Sequence, residues 1–409
     1  MAADRTTVRR PGAAGVSSEQ TAPSPPHFPD EVSDRRDAIE RLGYRRPGWV
    51  TSLAGGVAVA FTICAAVVVP KVIEGLALAP APPHGYTWTR KTAGGVNSTP
   101  AVVNGTVYIG VGIGQRGEVD ALNAATGQVR WTRATGGIVY SDPVVAGGIV
   151  YVGSNDHKVY ALNAATGSIR WTYTTGGEVV SRPAVADGVV YVGSNDHKVY
   201  ALDASTGRVR WTRDTGGGVE SSPVVADGTV YIGSRDDKLY ALDAATGIIR
   251  WTYTTGSFIL SSPLVDDGTV YVGSGDSRVY AIDTANGHFR WSYDTGKWIF
   301  FSSPVEADGT IYIGSTNGNV YALDAATGHP QWIRATGGEI QGSPAVSADT
   351  VYIGSNDHKL YAINAATGAI RWTYPTGWDI SDSPVIAGGT VYVGSDDGNV
   401  YALSAATGT

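Results

Sequence analysis

Three groups of residues in this 409-residue chain have types and spacings suited to chemistry or recognition. The first is Gly112-Ile113-Gly114-Gln115-Arg116-Gly117-Glu118-Val119, which fits the glycine-rich nucleotide loop G-x-G-x-x-G-x-V. Such a loop holds phosphates when a helix N-terminus or a following lysine strand completes the anion site. Here no helical pattern follows, and no H-R-D or D-F-G triplet does. The segment reads as a lengthened hairpin. The second group is Asn-Asp-His-Lys at 155–158, 195–198 and 356–359. Histidine beside aspartate suits a metal. But the copies occupy equivalent turns of separate repeats, which point apart, so His157, His197 and His358 are expected to be surface turn residues. The third group is aromatic: Phe258, Trp298, Phe300, Phe301 and Trp378 stand where other repeats carry smaller residues. Clustered aromatics suit recognition, or else they plug a channel.

The elements that position these groups follow from a repeat. Tryptophans stand at 88, 131, 171, 211, 251, 291, 332 and 372, with steps of 43, 40, 40, 40, 40, 41 and 40 residues. A fixed period in this range means stacked supersecondary units. In the third copy the apolar runs are 181–186, 189–194, 198–203 and 209–214. Asp187-Gly188, Asn195-Asp196-His197 and Ala204-Ser205-Thr206-Gly207 divide them. Short runs rich in Val, Tyr and Ile, bounded by Gly, Asn and Asp, are strands joined by hairpins. Four antiparallel strands per period make a propeller blade. Pro100, Pro143, Pro183, Pro223, Pro263, Pro304, Pro344 and Pro384 mark eight first strands. Trp88 precedes the first of them, and the chain stops at Thr409 before an eighth outermost strand. Residues 86–91 are therefore expected to supply that strand and close the ring, leaving no open sheet edge. The expected class is all-β, an eight-bladed β-propeller over residues 85–409.

The sequence Ala161-Leu162-Asn163-Ala164-Ala165-Thr166-Gly167-Ser168-Ile169-Arg170-Trp171 recurs in seven of the eight blades with few changes. It resembles the tryptophan-docking motif of the PQQ-like (pyrroloquinoline-quinone-like) β-propeller family. The resemblance implies that Trp88, Trp131, Trp171, Trp211, Trp251, Trp291, Trp332 and Trp372 wedge between blades, over the small residues of a neighbouring motif. An indole buries about 150–250 Å², so the reading is physically sound as well. The family contains quinone-dependent dehydrogenases and non-enzymatic propellers. The dehydrogenases are implied to need an adjacent Cys pair, long insertions, and a calcium held beside a catalytic Asp. This chain has one cysteine, Cys64, and no insertion longer than three residues. The resemblance thus points to the non-enzymatic branch, similar to a bacterial outer-membrane assembly lipoprotein and to some receptor-kinase ectodomains. It implies no cofactor; PQQ with calcium belongs to the alternative of a dehydrogenase with a reduced site.

Ahead of the ring, residues 1–46 have the composition of a disordered tail. Residues 47–70 carry no charge and are long enough to cross a bilayer once as a helix. Arg35, Arg36, Arg41, Arg45 and Arg46 precede that stretch, and only Lys71 follows closely. The positive-inside rule then puts the tail in the cytoplasm and the propeller outside. A cleaved signal peptide is the rival reading. Residues 71–84 form a Pro-rich stalk. The chain's net charge is −7. An acidic ectodomain does not suit a nucleic-acid partner.

Function should sit where the repeats differ. The turns barely vary, whereas the connections after each Thr-Gly pair vary most and surround the central funnel. Their aromatics are the expected binding anchors, with Glu178, Arg182 and Glu220 adding polar selectivity. The expected partner is a protein or small ligand outside the cytoplasm.

Overall fold

A computed structural model describes residues 87–409; the expected tail, membrane span and stalk lie outside the described residues. Within the described residues every regular element is a strand. The third repeat builds strands Ala184–Ala186, Val189–Ser194, Lys198–Asp203 and Val209–Asp214. Three of the four coincide with the apolar runs read from sequence. The innermost is shorter, because residues 181–183 belong to the connection that enters the blade. Pairing is antiparallel, with Tyr191 opposite Ala201 and Ala201 opposite Trp211. The two middle strands are covered on both faces, so their alternation gives way to continuous burial.

Local chemistry fixes each turn. Asp187 and Gly188 take φ of 49° and 72°, as a two-residue hairpin turn requires. Asp203 Oδ1 accepts the amides of Ser205 and Thr206 and so folds the third turn. In the Asn-Asp-His-Lys turns it is the histidine that adopts the left-handed conformation, at φ 67°, 69° and 64° for His157, His197 and His358. The aspartate instead acts across the turn. Asp156 Oδ2 accepts the amide of Gly136 at 3.0 Å and the hydroxyl of Tyr160. It staples the incoming connection to its blade.

Eight sheets form, and the eighth joins the two ends of the repeat region. Strand Trp88–Lys91 pairs with Asn399–Ser404, Trp88 opposite Ala402 and Lys91 opposite Asn399. The Gly112–Val119 segment is a hairpin tip. Strands Thr106–Ile113 and Arg116–Asn123 pair through it, with Gly112 opposite Gly117 and Gly114 at φ 61°.

Neighbouring blades are locked at three depths. At the rim, each docking tryptophan donates its indole N–H to a carbonyl of the next blade, as from Trp171 to Ala204 at 2.9 Å. Tyr151 donates to the same carbonyl at 3.0 Å, and its ring centroid lies 5.9 Å from that of Trp171. The indole covers Gly207, where an added Cβ would stand 2.7 Å from the ring. Midway, a buried Val or Ile of each connection fills the space left by a glycine in the preceding blade, as Val179 does at Gly153. Nearest the axis lies a belt of side-chain oxygens. The amides of Arg182, Ser222, Ser262, Ser303 and Ser343 donate to Ser222, Ser262, Ser303, Ser343 and Ser383 in turn, at 2.8–3.1 Å. On the other side Thr99 donates its amide to Asp142 Oδ1 at 2.7 Å.

Candidate functional site

Each connection is pinned by that buried Val or Ile, so the residues flanking the plug are free to differ between blades. They open on the same face as the Asn-Asp-His-Lys turns. In the connections from blade 4 to blade 5 and from blade 5 to blade 6 the differences are large and aromatic. Phe258 and Phe300 stack with centroids 5.7 Å apart and planes inclined by 8°. Trp298 meets Phe300 at 5.2 Å, and Phe301 meets it at 6.2 Å. Phe301 is buried, whereas Phe258, Trp298 and Phe300 are half-buried. The cluster therefore has a root in the ring wall and a surface open to solvent.

The backbone makes room for it. Phe258 lies over Gly275, where a Cβ would come within 2.6 Å of its ring. The equivalent turn position carries a side chain in blades 2 to 4 and 6 to 8, as at Asn195, Arg235 and Thr316. The extra residue of the 41-residue step lies within this connection. Lys297 reaches Glu339 of the next connection at 3.3 Å and brackets the cluster.

Trp378 is not part of this group. Its ring packs on His358, centroids 5.5 Å apart, and is 45% exposed. His358 Nδ1 is 2.9 Å from Asp379 Oδ1. This makes a smaller, separate aromatic patch between blades 7 and 8.

The polar residues fall into two places. Glu220 is buried, and its Oε1 accepts Arg235 Nε at 2.9 Å and Nη2 at 2.8 Å. Burial pushes the Glu220 carboxyl up; Arg235 works against that rise, and Glu178 adds to it. Arg182 sits deeper, in the belt, as the counter-charge of Asp142. Burial raises Asp142 to about 7, with Arg182 and the Thr99 amide pulling it down. Burial correspondingly lowers Arg182. Among the described residues no three His, Cys, Asp or Glu side chains come together as metal ligands.

Sequence reasoning passes over Asp142, Arg235 and Gly275. Each carries a signal there all the same: an acid where other blades have Ser, Thr or Arg, and departures from Asn at the turn.

The arrangement has counterparts among known proteins. The family model described as outer membrane protein assembly factor BamB matches residues 115–219, 213–339 and 316–409. No curated protein matches the chain. Among solved structures, BamB from Moraxella catarrhalis is similar with a TM-score of 0.67 and 20% identity, over 78% of this chain and 99% of that one. A quinohemoprotein alcohol dehydrogenase from Comamonas testosteroni is similar with a TM-score of 0.68 and 18% identity, over 80% and 77%. A europium-containing methanol dehydrogenase gives 0.66 and 14%, over 75% and 85%. At these identities the likeness is one of fold.

Proposed function

The chain belongs to the PQQ-like β-propeller repeat family, through the model described as outer membrane protein assembly factor BamB, and from that premise we propose that it is a protein-binding module held at a membrane. The observation that carries this reading is the Phe258–Phe300–Trp298 cluster: half-buried aromatics, rooted in the wall on Phe301, on the face where the repeats diverge. Interfaces are anchored by such rigid aromatics, most often Trp, near the centre of a patch. Identical turns cannot distinguish one sector of the ring from another; this connection can.

The anchor part of the reading rests on the uncharged stretch at 47–70 and the five arginines before it. It makes the chain a single-pass membrane protein with the propeller outside the cytoplasm.

The quinone alternative is less well supported by the residues present. Two buried acids of the connections, Asp142 and Glu220, already face Arg182 and Arg235, an arrangement suited to ion pairs rather than to calcium. The belt that would floor a quinone is closed blade to blade by serine hydroxyls. Those residues do not fit the cofactor.

A photo-crosslinking residue at Trp298, in the full chain in its native membrane, tests the reading. It should trap one defined protein that the same residue at Asp227, on the opposite face, does not. Identical products from both positions would overturn it.

A further inference from the structure

The two faces of the ring differ, and the chain enters the ring at one of them. The closing strand runs from Trp88, opposite Ala402 and close to the 405–408 turn, to Lys91, opposite Asn399. Just beyond its far end the amide of Thr92 donates to the carbonyl of Gly398, in the turn equivalent to Asn-Asp-His-Lys. The residues before Trp88 therefore leave from the face of the Ala-Ala-Thr-Gly turns. The varied connections, with Phe258, Phe300 and Trp298, occupy the other face. Strands of six residues, such as Lys198–Asp203, hold the two faces about 20 Å apart.

Exposed apolar side chains gather at the face where the chain enters. Among the described residues ten large hydrophobic side chains are exposed. Six of them, Val129, Ile169, Val209, Ile249, Phe289 and Ile370, open the outermost strands of their blades, just after the turn. A seventh, Ile248, precedes Ile249 and is 60% exposed. Single exposed hydrophobes are ordinary, but most of them lying along one rim is a pattern. Phe289 stacks on Tyr253 of the preceding blade, centroids 6.5 Å apart and planes inclined by 17°, which widens the patch. Four of the arginines that follow these positions, Arg210, Arg250, Arg290 and Arg371, pair with Asp203, Asp243, Asp283 and Asp349. Much of the rim's charge is thus matched within the rim, and what it offers a neighbour is apolar.

Resting on the membrane anchor argued above, we propose that this rim is a lipid contact, by which the propeller lies with its Ala-Ala-Thr-Gly turns against the membrane that holds it. Only residues 71–86 separate the uncharged stretch from the point of entry at Thr87, so the bilayer is the apolar surface nearest the rim. Interfacial binding grows with the apolar area inserted among the headgroups. The tether alone would leave the ring free to turn; the rim fixes which face looks down. The aromatic cluster then points away from the lipid, where a protein partner can approach it.

The test uses the full chain in phosphatidylcholine nanodiscs, with a benzophenone side chain placed at Ile249 or at Trp298. Ile249 should give roughly tenfold more phospholipid adduct than Trp298. Doubling the stalk with Gly-Ser residues should leave that adduct in place, because the rim and not the tether makes the contact. Ile248→Glu with Phe289→Glu, both at exposed side chains, should cut it severalfold while the melting temperature holds. In chains that have entered the discs, four results would each overturn the lipid contact and leave the anchor standing: no adduct from Ile249, an adduct from Trp298 as large or larger, loss of the Ile249 adduct on lengthening the stalk, or indifference to the glutamate pair. A chain that does not enter the discs would overturn the anchor and the lipid contact together.

Discussion

The indole N–H of Trp88 donates to the carbonyl of Ala124 at 2.8 Å, and its ring covers Gly127. Trp88 belongs by strand pairing to the last blade and Ala124 to the first. Tyr392, from the other end of the chain, donates to the same carbonyl at 3.2 Å. One oxygen thus receives both termini of the repeat region. The ring is sealed by the contact that every other blade pair uses.

Trp88→Ala should therefore cost about 3–5 kcal/mol, the usual range for emptying a large aromatic site. Removing residues 85–93 should cost more, since it also exposes the edge of Asn399–Ser404. Deleting residues 1–46 should cost almost nothing. Thermal unfolding of the three variants checks the order. An unchanged melting temperature for the first two would mean that the ring is closed by other contacts.

Glycines under the indoles should be harder to replace than glycines in open turns. Gly207 has φ of 71° and would place a Cβ 2.7 Å from Trp171. Gly105 has φ of 69°, with open space around it. Alanine at Gly105 meets backbone strain alone, about 1–2 kcal/mol. At Gly207 it adds overlap with a fixed ring, typically a further ~1–3 kcal/mol. Comparing the two denaturation midpoints separates the terms.

Asp142 gives the ring a pH dependence of known sign. Its carboxyl titrates at about 7 in the folded chain, above its ordinary value of 3.8. The folded state then holds the proton more tightly than the unfolded one. This contribution to stability is complete below about pH 4, declines as pH rises toward 7 and is absent above. Its size is on the order of 4 kcal/mol. Asp142→Asn keeps the acceptor for Thr99 and removes the titration. Melting curves from pH 4 to 8 should show wild type losing more stability than the variant. Parallel curves would contradict the assignment.

The membrane reading predicts that protease added to intact cells or spheroplasts releases the propeller and spares the tail. It follows from the arginines preceding 47–70. Protection of the propeller would reverse the orientation.

Much of this architecture could be read from the residues, for a physical reason. A repeat imposes the same local problem eight times, and Thr-Gly, Asp-Gly and Trp mark its turns and edges each time. Ring closure was legible because Trp88 has no copy before it and the last repeat has no Trp. The aromatic cluster was legible as a departure from the repeat. That Trp378 would pack on His358, apart from the other aromatics, was not: the spacing of connections does not show which side chains meet across blades. Nor was the belt, since a serine before proline gives no sign that its hydroxyl faces the amide of a residue 40 positions away. The Asp142–Arg182 pair was hidden for the same reason.

The central claim is that the varied face around Trp298 and Phe300 binds a protein partner. The most direct measurement is partner affinity and melting temperature for Trp298→Ala with Phe300→Ala, set against His157→Ala with His197→Ala. Emptying an interface anchor typically costs about 2 kcal/mol or more, roughly thirtyfold in affinity. The account predicts at least that loss for the aromatic pair, with the ring still folded, and none for the histidine pair. Full binding per folded molecule by the aromatic pair, alongside a steep fall in melting temperature, would contradict it and make these side chains part of the core.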